Sequence, residues 1–289
     1  PVQTVRRRES PSGEDLANYV RYDYGRPSEE WNETVVGCEK AFIPYATLAD
    51  SARLVYGDTK PYKKTEYESD LLSRTKSQTS SGEAWHDNEK DVRYEYYIND
   101  TTGVLSCLRF IPSSDYSDAS APTLSGIYPM GTLSVVKTIS EDGVETYQFT
   151  DSYGHNILSR VVTEDGCNDT YYVYDVRCLL RAVITPVAVS LIDSTGNLST
   201  SDFADYCYSY GYDDRGRCVC SSRPGIGTTV NIYAPDDHLV FVQTPQLAVE
   251  GKWKFDIQDV FGRTAITGLC SGTYDSLKSL ADDDIRAVF

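Results

Sequence analysis

"YCYSYGYDDRGRCVCSSRPG", residues 206–225, is the stretch that decides the fold. Tyr206, Tyr208, Tyr210 and Tyr212 occupy every second position, 213–217 interrupts them, and Cys218 and Cys220 resume the alternation. Successive side chains of a strand point to opposite faces, so residues two apart share one face. The spacing predicts four tyrosines along one side of a strand, a reversal at 213–216, and a returning strand with Cys218 and Cys220 on one face. Tyrosine suits such a surface, since its ring packs flat while its hydroxyl reaches a partner or water. Gly216 is free to take positive φ in the reversal. The stretch therefore predicts a β-hairpin.

The pattern returns along the chain. It is present in "YDYGRP" at 22–27, "FTDSYGHNILSRV" at 149–161, "YYVYDVRCLLRAV" at 171–183, "VNIYAPDDHLVFV" at 230–242 and "FDIQDVFGRTAIT" at 255–267. The turn positions Gly154, Cys178, Gly216, Asp237 and Gly262 recur about every 20–25 residues, with one longer step that contains a polar insertion at 186–205. One hairpin is marginal alone and gains stability by pairing with its neighbours. The expectation is an all-β fold, with antiparallel hairpin repeats in a twisted, spiralling or partly rolled sheet and little helix. Little helix is expected outside about 45–56, which reads equally as a short helix or a loop ending at Gly57, and 276–288, which reads as a terminal helix or the start of a further element.

The rest of the chain is less regular. Segments 91–100 and 103–112 read as strands joined by a turn, and 113–126 reads as a loop. Segment 132–151 reads as a hairpin with Glu141, Asp142 and Gly143 at its tip.

Composition narrows the function. The chain has 289 residues, 27 Lys and Arg against 43 Asp and Glu, and a net charge of −16. Phosphate binding needs a basic stripe, so nucleic acid is not an expected partner. No apolar run approaches the roughly 20 residues that span a bilayer. The chain opens at Pro1 with no signal peptide, which fits a trimmed or mature chain. The eight cysteines lack zinc spacing: Cys218 and Cys220 form C-x-C, and the others are dispersed. They read as small buried residues of strands, with one or two disulfides as the alternative. Four N-x-[ST] triplets begin at Asn32, Asn99, Asn168 and Asn197. Such triplets arise by chance in a polar chain and matter only where the source uses that modification. No G-x-S-x-G elbow, Walker A loop or dinucleotide fingerprint occurs, and "RPGIGTTV" at 223–230 lacks the Gly-Lys-Ser/Thr ending. No catalytic residue, cofactor site or metal site is assigned.

The aromatic-Asp-x-x-Gly-Arg element followed by an apolar strand resembles the YD repeat of Rhs proteins. The order of other segments agrees. "VRYDYGRPSEEW" at 20–31, "KAFIPYATLADS" at 40–51 and "YESDLLSRTKSQTSSGEAW" at 67–85 resemble the domain that precedes YD repeats in that family. "TEDGCNDTYYVYDVRCLLRAVITP" at 163–186, the 212–225 segment and "GKWKFDIQDVFGRTAITG" at 251–268 resemble successive later segments, so the likeness runs over about 20–272. Three departures stand out. Tyr22-Asp23-Tyr24-Gly25 is one residue short, Cys178 replaces glycine, and Ala234-Pro235 replaces the Asp-containing pair. Those repeats are expected to bend or pair differently.

The resemblance implies an N-terminal β domain at 1–140, YD-repeat hairpins at 141–272 and a tail at 273–289. It implies a bacterial protein, secreted or at the cell surface, whose partners are downstream YD repeats and a variable C-terminal region enclosed by a β-shell. The motif residues read as structural turns: Asp151, Gly154, Asp175, Asp213, Gly216, Arg217, Asp259, Gly262 and Arg263. Asp can bond nearby backbone N–H groups. Arg26, Arg217 and Arg263 can carry a guanidinium to a carboxylate or ring on an adjacent hairpin. Three functions follow in order: a non-catalytic wall; a glycan- or cell-surface-binding module using Tyr208, Tyr210 and Tyr212; and a hydrolase, for which no specific constellation speaks.

Overall fold

The computed structural model describes residues 2–6, 10, 13–36, 43–192, 198–259 and 261–283. The expectations for Cys38, for Asn197 and for the tail beyond 283 lie outside these residues. Among the described residues, seventeen strands belong to one antiparallel sheet, and two more form a separate pair. The all-β expectation holds. The chain divides into two compact units.

The first unit comprises 1–97, 135–147 and 161–166. Strands Val2–Arg6, Asp15–Asp23, Arg26–Val36, Tyr62–Tyr67, Thr75–Thr79 and Asp91–Ile98 pair in succession. Helix Tyr45–Tyr56 lays Leu48, Ala49 and Ala52 on Ala17, Tyr19 and Trp31 of the second and third strands. Burying these apolar faces is the main stabilising term. Ser51 fixes the helix, donating to the Val35 carbonyl at 2.7 Å. Gly57 closes it at φ 61°, a left-handed conformation that a Cβ disfavours.

The second unit comprises 98–134, 148–160 and 167–289. Its hairpin strands, from Gly166–Tyr174 through Leu180–Ile184, Cys207–Tyr212, Cys218–Arg223, Gly227–Tyr233, Leu239–Gln243 and Lys252–Gln258 to Thr264–Ser271, pair in chain order. Helix Tyr274–Asp282 starts on a Thr273–Ser276 capping box. It packs Leu277 and Ala281 against Ile232, Phe241 and Trp253.

Several local expectations are corrected. Residues 103–105 form a 3-10 turn, and Leu108–Ile111 pairs with Thr123–Ile127. Residues 103–112 are thus not one strand, and the loop predicted for 113–126 ends in one. The insertion at 186–205 carries helices Pro186–Ser190 and Thr200–Tyr206. Short helices also form at Glu83–Asp87 and Pro245–Val249. Tyr206 closes its helix, so the strand holds three of the four tyrosines. Ser199 accepts from the Asp202 N–H and starts that helix, a local cap that outweighs the period-two pattern at its end.

Candidate functional site

The turns of the second unit repeat one design. In each, the first residue's N–H donates to the carbonyl of the fifth: Asp151 to His155 (3.0 Å), Asp175 to Leu179 (3.0 Å), Asp213 to Arg217 (3.0 Å), Ala234 to His238 (2.8 Å) and Asp259 to Arg263 (2.9 Å). The fourth residue's N–H donates back to the first carbonyl at 3.0–3.2 Å. That fourth residue is left-handed every time: Gly154 φ 87°, Cys178 φ 65°, Gly216 φ 80°, Asp237 φ 71° and Gly262 φ 78°. A three-residue hairpin loop with a left-handed last position has this geometry. The register slips by one residue just before the turns that begin at Asp175, Asp213, Ala234 and Asp259.

Each aspartate locks its own turn. Oδ1 of Asp151, Asp175, Asp213 and Asp259 accepts from the N–H groups of the third and fifth residues at 2.8–3.0 Å. Burial pushes the Asp213 carboxyl up, but the Arg217 N–H and guanidinium override it and hold the carboxyl below its ordinary range. The Asp259 carboxyl is lowered mainly by the Arg263 side chain and N–H. Two sequence departures therefore leave the backbone design intact, since Cys178 and Asp237 both take the left-handed position. The third changes it. Tyr24 (φ 47°) and Gly25 (φ 79°) are both left-handed and Asp23 pairs with Arg26, the two-residue hairpin turn that one fewer residue demands.

Arginines link one turn to the next. Arg217 donates to Asp213 Oδ2 (2.7 Å), then reaches the following turn at the Ala234 carbonyl (2.8 Å) and Asp237 Oδ1 (2.8 Å). Its guanidinium lies 5.0 Å from the Tyr233 ring centre. In the preceding turn the fifth residue is Leu179, and Arg177, in third place, donates to the Asp213 carbonyl at 2.9 Å. The target is the same: the first carbonyl of the following turn. Arg263 differs, bonding Asp259 of its own turn and lying over its own Phe261. In the first unit, Arg26 lies over Tyr67 at 4.8 Å.

The segment 98–134 is a strap held by buried arginines that the sequence reading missed. Arg160 makes a two-pronged pair with Asp169 at 2.7 and 2.6 Å and donates to the carbonyls of Val104 and Ser106 at 2.6 and 3.0 Å. Both side chains are 8 % exposed, and Tyr171 Oη donates to the same carboxylate. Arg181 donates to the Asp115 and Asp118 carbonyls, and Arg177 stacks on Tyr116 at 3.7 Å. The Tyr212 N–H donates to the Tyr116 carbonyl at 2.7 Å. A Cβ on Gly211 would stand 2.3 Å from the Ser117 carbonyl oxygen, so only glycine admits the strap there. The available signal was an arginine inside an apolar strand, as in "NILSRVV" and "LLRAVI", because a buried charge needs a partner.

Tyr208, Tyr210 and Tyr212 share one side of their strand, while Cys207, Ser209 and Gly211 fill the buried side. Tyr212 Oη donates to the Leu180 carbonyl, which commits that hydroxyl to the sheet. Cys107 and Cys207 are buried, Cys167 and Cys178 are exposed, and the seven described cysteines are free thiols. Burial pushes Cys207 up to about 11. Asn99 is fully buried, its amide donating to the Pro129 carbonyl and accepting from the Leu133 N–H, so its triplet is a structural clasp.

Residues 1–98 match a family described as "Domain of unknown function (DUF6443)". No curated protein matches the chain. Solved structures do. The chain is similar to the crystal structure of TcdB2-TccC3, with TM-score 0.55 and 12 % identity over 93 % of this chain and 12 % of that one. It is similar to TcdB2-TccC3-TEV, with TM-score 0.55 and 14 % identity over 89 % of this chain and 10 % of that one. The fold is shared with part of TcdB2-TccC3. A third match is the Photorhabdus luminescens Tc holotoxin pore carrying a TccC3 mutation, with TM-score 0.54 and 13 % identity over 89 % of this chain and 10 % of that one. The chain thus spans about a tenth of the length of the structures it matches.

Proposed function

We propose that this chain is a non-catalytic stretch of wall in a YD-repeat protein of the Rhs type. Its 1–140 domain leads into the 141–272 hairpins and a 273–289 tail, and the sheet continues into a β-shell around a C-terminal polypeptide. The observation that carries this reading is the turn-to-turn arginine link. The aspartates hold their own turns, and Arg177 and Arg217 hold the next, so the repeated polar groups act in assembly. A dedicated reaction centre gathers a few placed polar groups in one concavity instead. The fold shared with TcdB2-TccC3 supports the reading. The DUF6443 match over residues 1–98 supports the proposed order. We also propose secretion or surface exposure; no helix among the described residues is long and apolar enough to cross a membrane.

The test takes the natural polypeptide that contains this chain and measures protease cleavage of the region after the hairpins. An enclosing wall predicts slow cleavage in the native protein and fast cleavage after Arg177→Gln with Arg217→Gln. Equal cleavage of both, at the rate of the isolated C-terminal region, would refute enclosure. Fractionation that finds the native protein in the cytosol would refute export.

A further inference from the structure

A cleft of about 310 Å³ is lined by Phe110 and Tyr128 of the strap and by Asp151, Tyr153, His155 and Tyr174 of the hairpins, among others. His155 stacks on Tyr174 with centres 4.5 Å apart and planes 21° apart. Tyr153 follows at 6.0 Å from the same imidazole. Phe110 meets Tyr171 edge to face at 5.1 Å. The carboxyl-bearing residues of the lining are Asp151 and Asp175, and it includes no lysine or arginine.

Elsewhere this chain seats its own cations on such rings. Arg177 lies 3.7 Å from the Tyr116 ring centre, Arg74 4.8 Å from Tyr96, and Lys137 5.7 Å from Tyr147. The Arg177–Tyr116 pair is the instructive case. Tyr116 lines a second cleft of about 430 Å³ that shares Phe110, Tyr128, Tyr174 and Asp175 with the first. An internal cation thus serves the second cleft, and Arg109 lies 5.9 Å from the centre of the Tyr128 ring that both share. Among the described residues, no arginine or lysine lies over Phe110, Tyr153 or Tyr174.

We propose that the first cleft binds an organic ammonium ion, with a methylated or quaternary amine as the preferred class. Aromatic faces attract a cation through the ring quadrupole, most strongly when its charge is spread and weakly hydrated. Asp175 is buried and paired with Arg177 and Arg181, so Asp151 is the carboxylate that adds negative charge to the cleft, and the net charge of −16 disfavours anions. A hard inorganic cation is a poor fit, since it needs six or more oxygen ligands. This inference stands apart from the wall reading and survives its failure.

The test follows backbone amide spectra of the chain while choline chloride is added. Its neutral carbon analogue dimethylbutanol, methyl glucoside and sodium chloride are the controls. Choline should shift Tyr153, His155, Tyr174 and Val176 with a dissociation constant of about 1 mM. Tyr153 is 79 % exposed, so Tyr153→Leu leaves the fold intact and should weaken binding about fivefold. Asp151→Asn keeps an oxygen for the turn N–H groups and should weaken it to a similar degree. An equal response to dimethylbutanol or methyl glucoside, no response at these residues to choline, or unchanged affinity in Tyr153→Leu would overturn the proposal.

Discussion

The Asp213 and Asp259 turns have the same internal bonding and opposite fates for their arginines. Both close with N–H bonds at 2.9–3.0 Å. Both aspartates accept the arginine Nε, at 2.7 and 2.8 Å. Yet Arg217 is 18 % exposed and spans to the next turn, whereas Arg263, in the last hairpin turn among the described residues, is 74 % exposed and bonds within its own. The contrast separates two kinds of information. The turn is written locally, in an Asp and a left-handed residue three places on. The lock is written in a neighbour some 20 residues away.

The largest expected effect breaks the comparison at the sheet. Gly211 of the Asp213 hairpin faces strap backbone, with the Ser117 carbonyl oxygen 2.3 Å from an added Cβ. Gly268 of the Asp259 hairpin faces the Phe255 ring, its nearest atom at 2.9 Å. Backbone cannot step aside as a ring can. Gly211→Ala should therefore cost about 3 kcal/mol and Gly268→Ala about 1 kcal/mol in urea unfolding. Equal costs would mean that the strap does not rest on Gly211.

The arginines give the next contrast. Arg217→Gln removes three charge-assisted bonds and should cost about 2 kcal/mol. Arg263→Gln removes an exposed pair, worth less than about 0.5 kcal/mol. Urea midpoints of the two variants check the ratio, and a ratio near one would erase the distinction.

The turn glycines should behave alike in both hairpins, because their constraint is local. Gly216 (φ 80°) and Gly262 (φ 78°) have no atom closer than 3.7 Å to an added Cβ. Strain alone therefore sets the cost of Gly216→Val and Gly262→Val, each above about 1 kcal/mol. Equal melting temperatures for wild type and Gly262→Val would contradict the turn geometry. The smallest effect has the opposite sign. Cys178 holds φ 65° with a Cβ, so Cys178→Gly should raise stability by about 0.5 kcal/mol. A loss of stability on calorimetry would show that the thiol makes a compensating contact.

These contrasts also mark what the sequence could reveal. Asp213, Gly216 and Asp259 were legible because a turn is decided within five residues. Cys178 and Asp237 misled only in identity, since the backbone kept the left-handed step that the glycine pattern implied. The Arg177 link was missed because it starts from the third place of its turn, not the fifth. The strap was missed because its anchors are far away in sequence: Arg160 and Val104 are 56 residues apart, Arg181 and Asp115 66. The reading of 103–112 as one strand failed for a related reason. Its Leu108–Ile111 part pairs with Thr123–Ile127 across the loop between them.

Hydrogen exchange tests the central claim most directly, by comparing Arg217→Gln and Arg263→Gln with the wild type. A lock between turns predicts that Arg217→Gln speeds exchange at Gly216 and also at Asp237, whose N–H closes the next turn at 3.1 Å. Arg263→Gln should speed exchange only at Phe261, Gly262 and Arg263. Faster exchange confined to 213–217 in Arg217→Gln, with Asp237 unchanged, would contradict the claim that Arg217 holds the turn after its own.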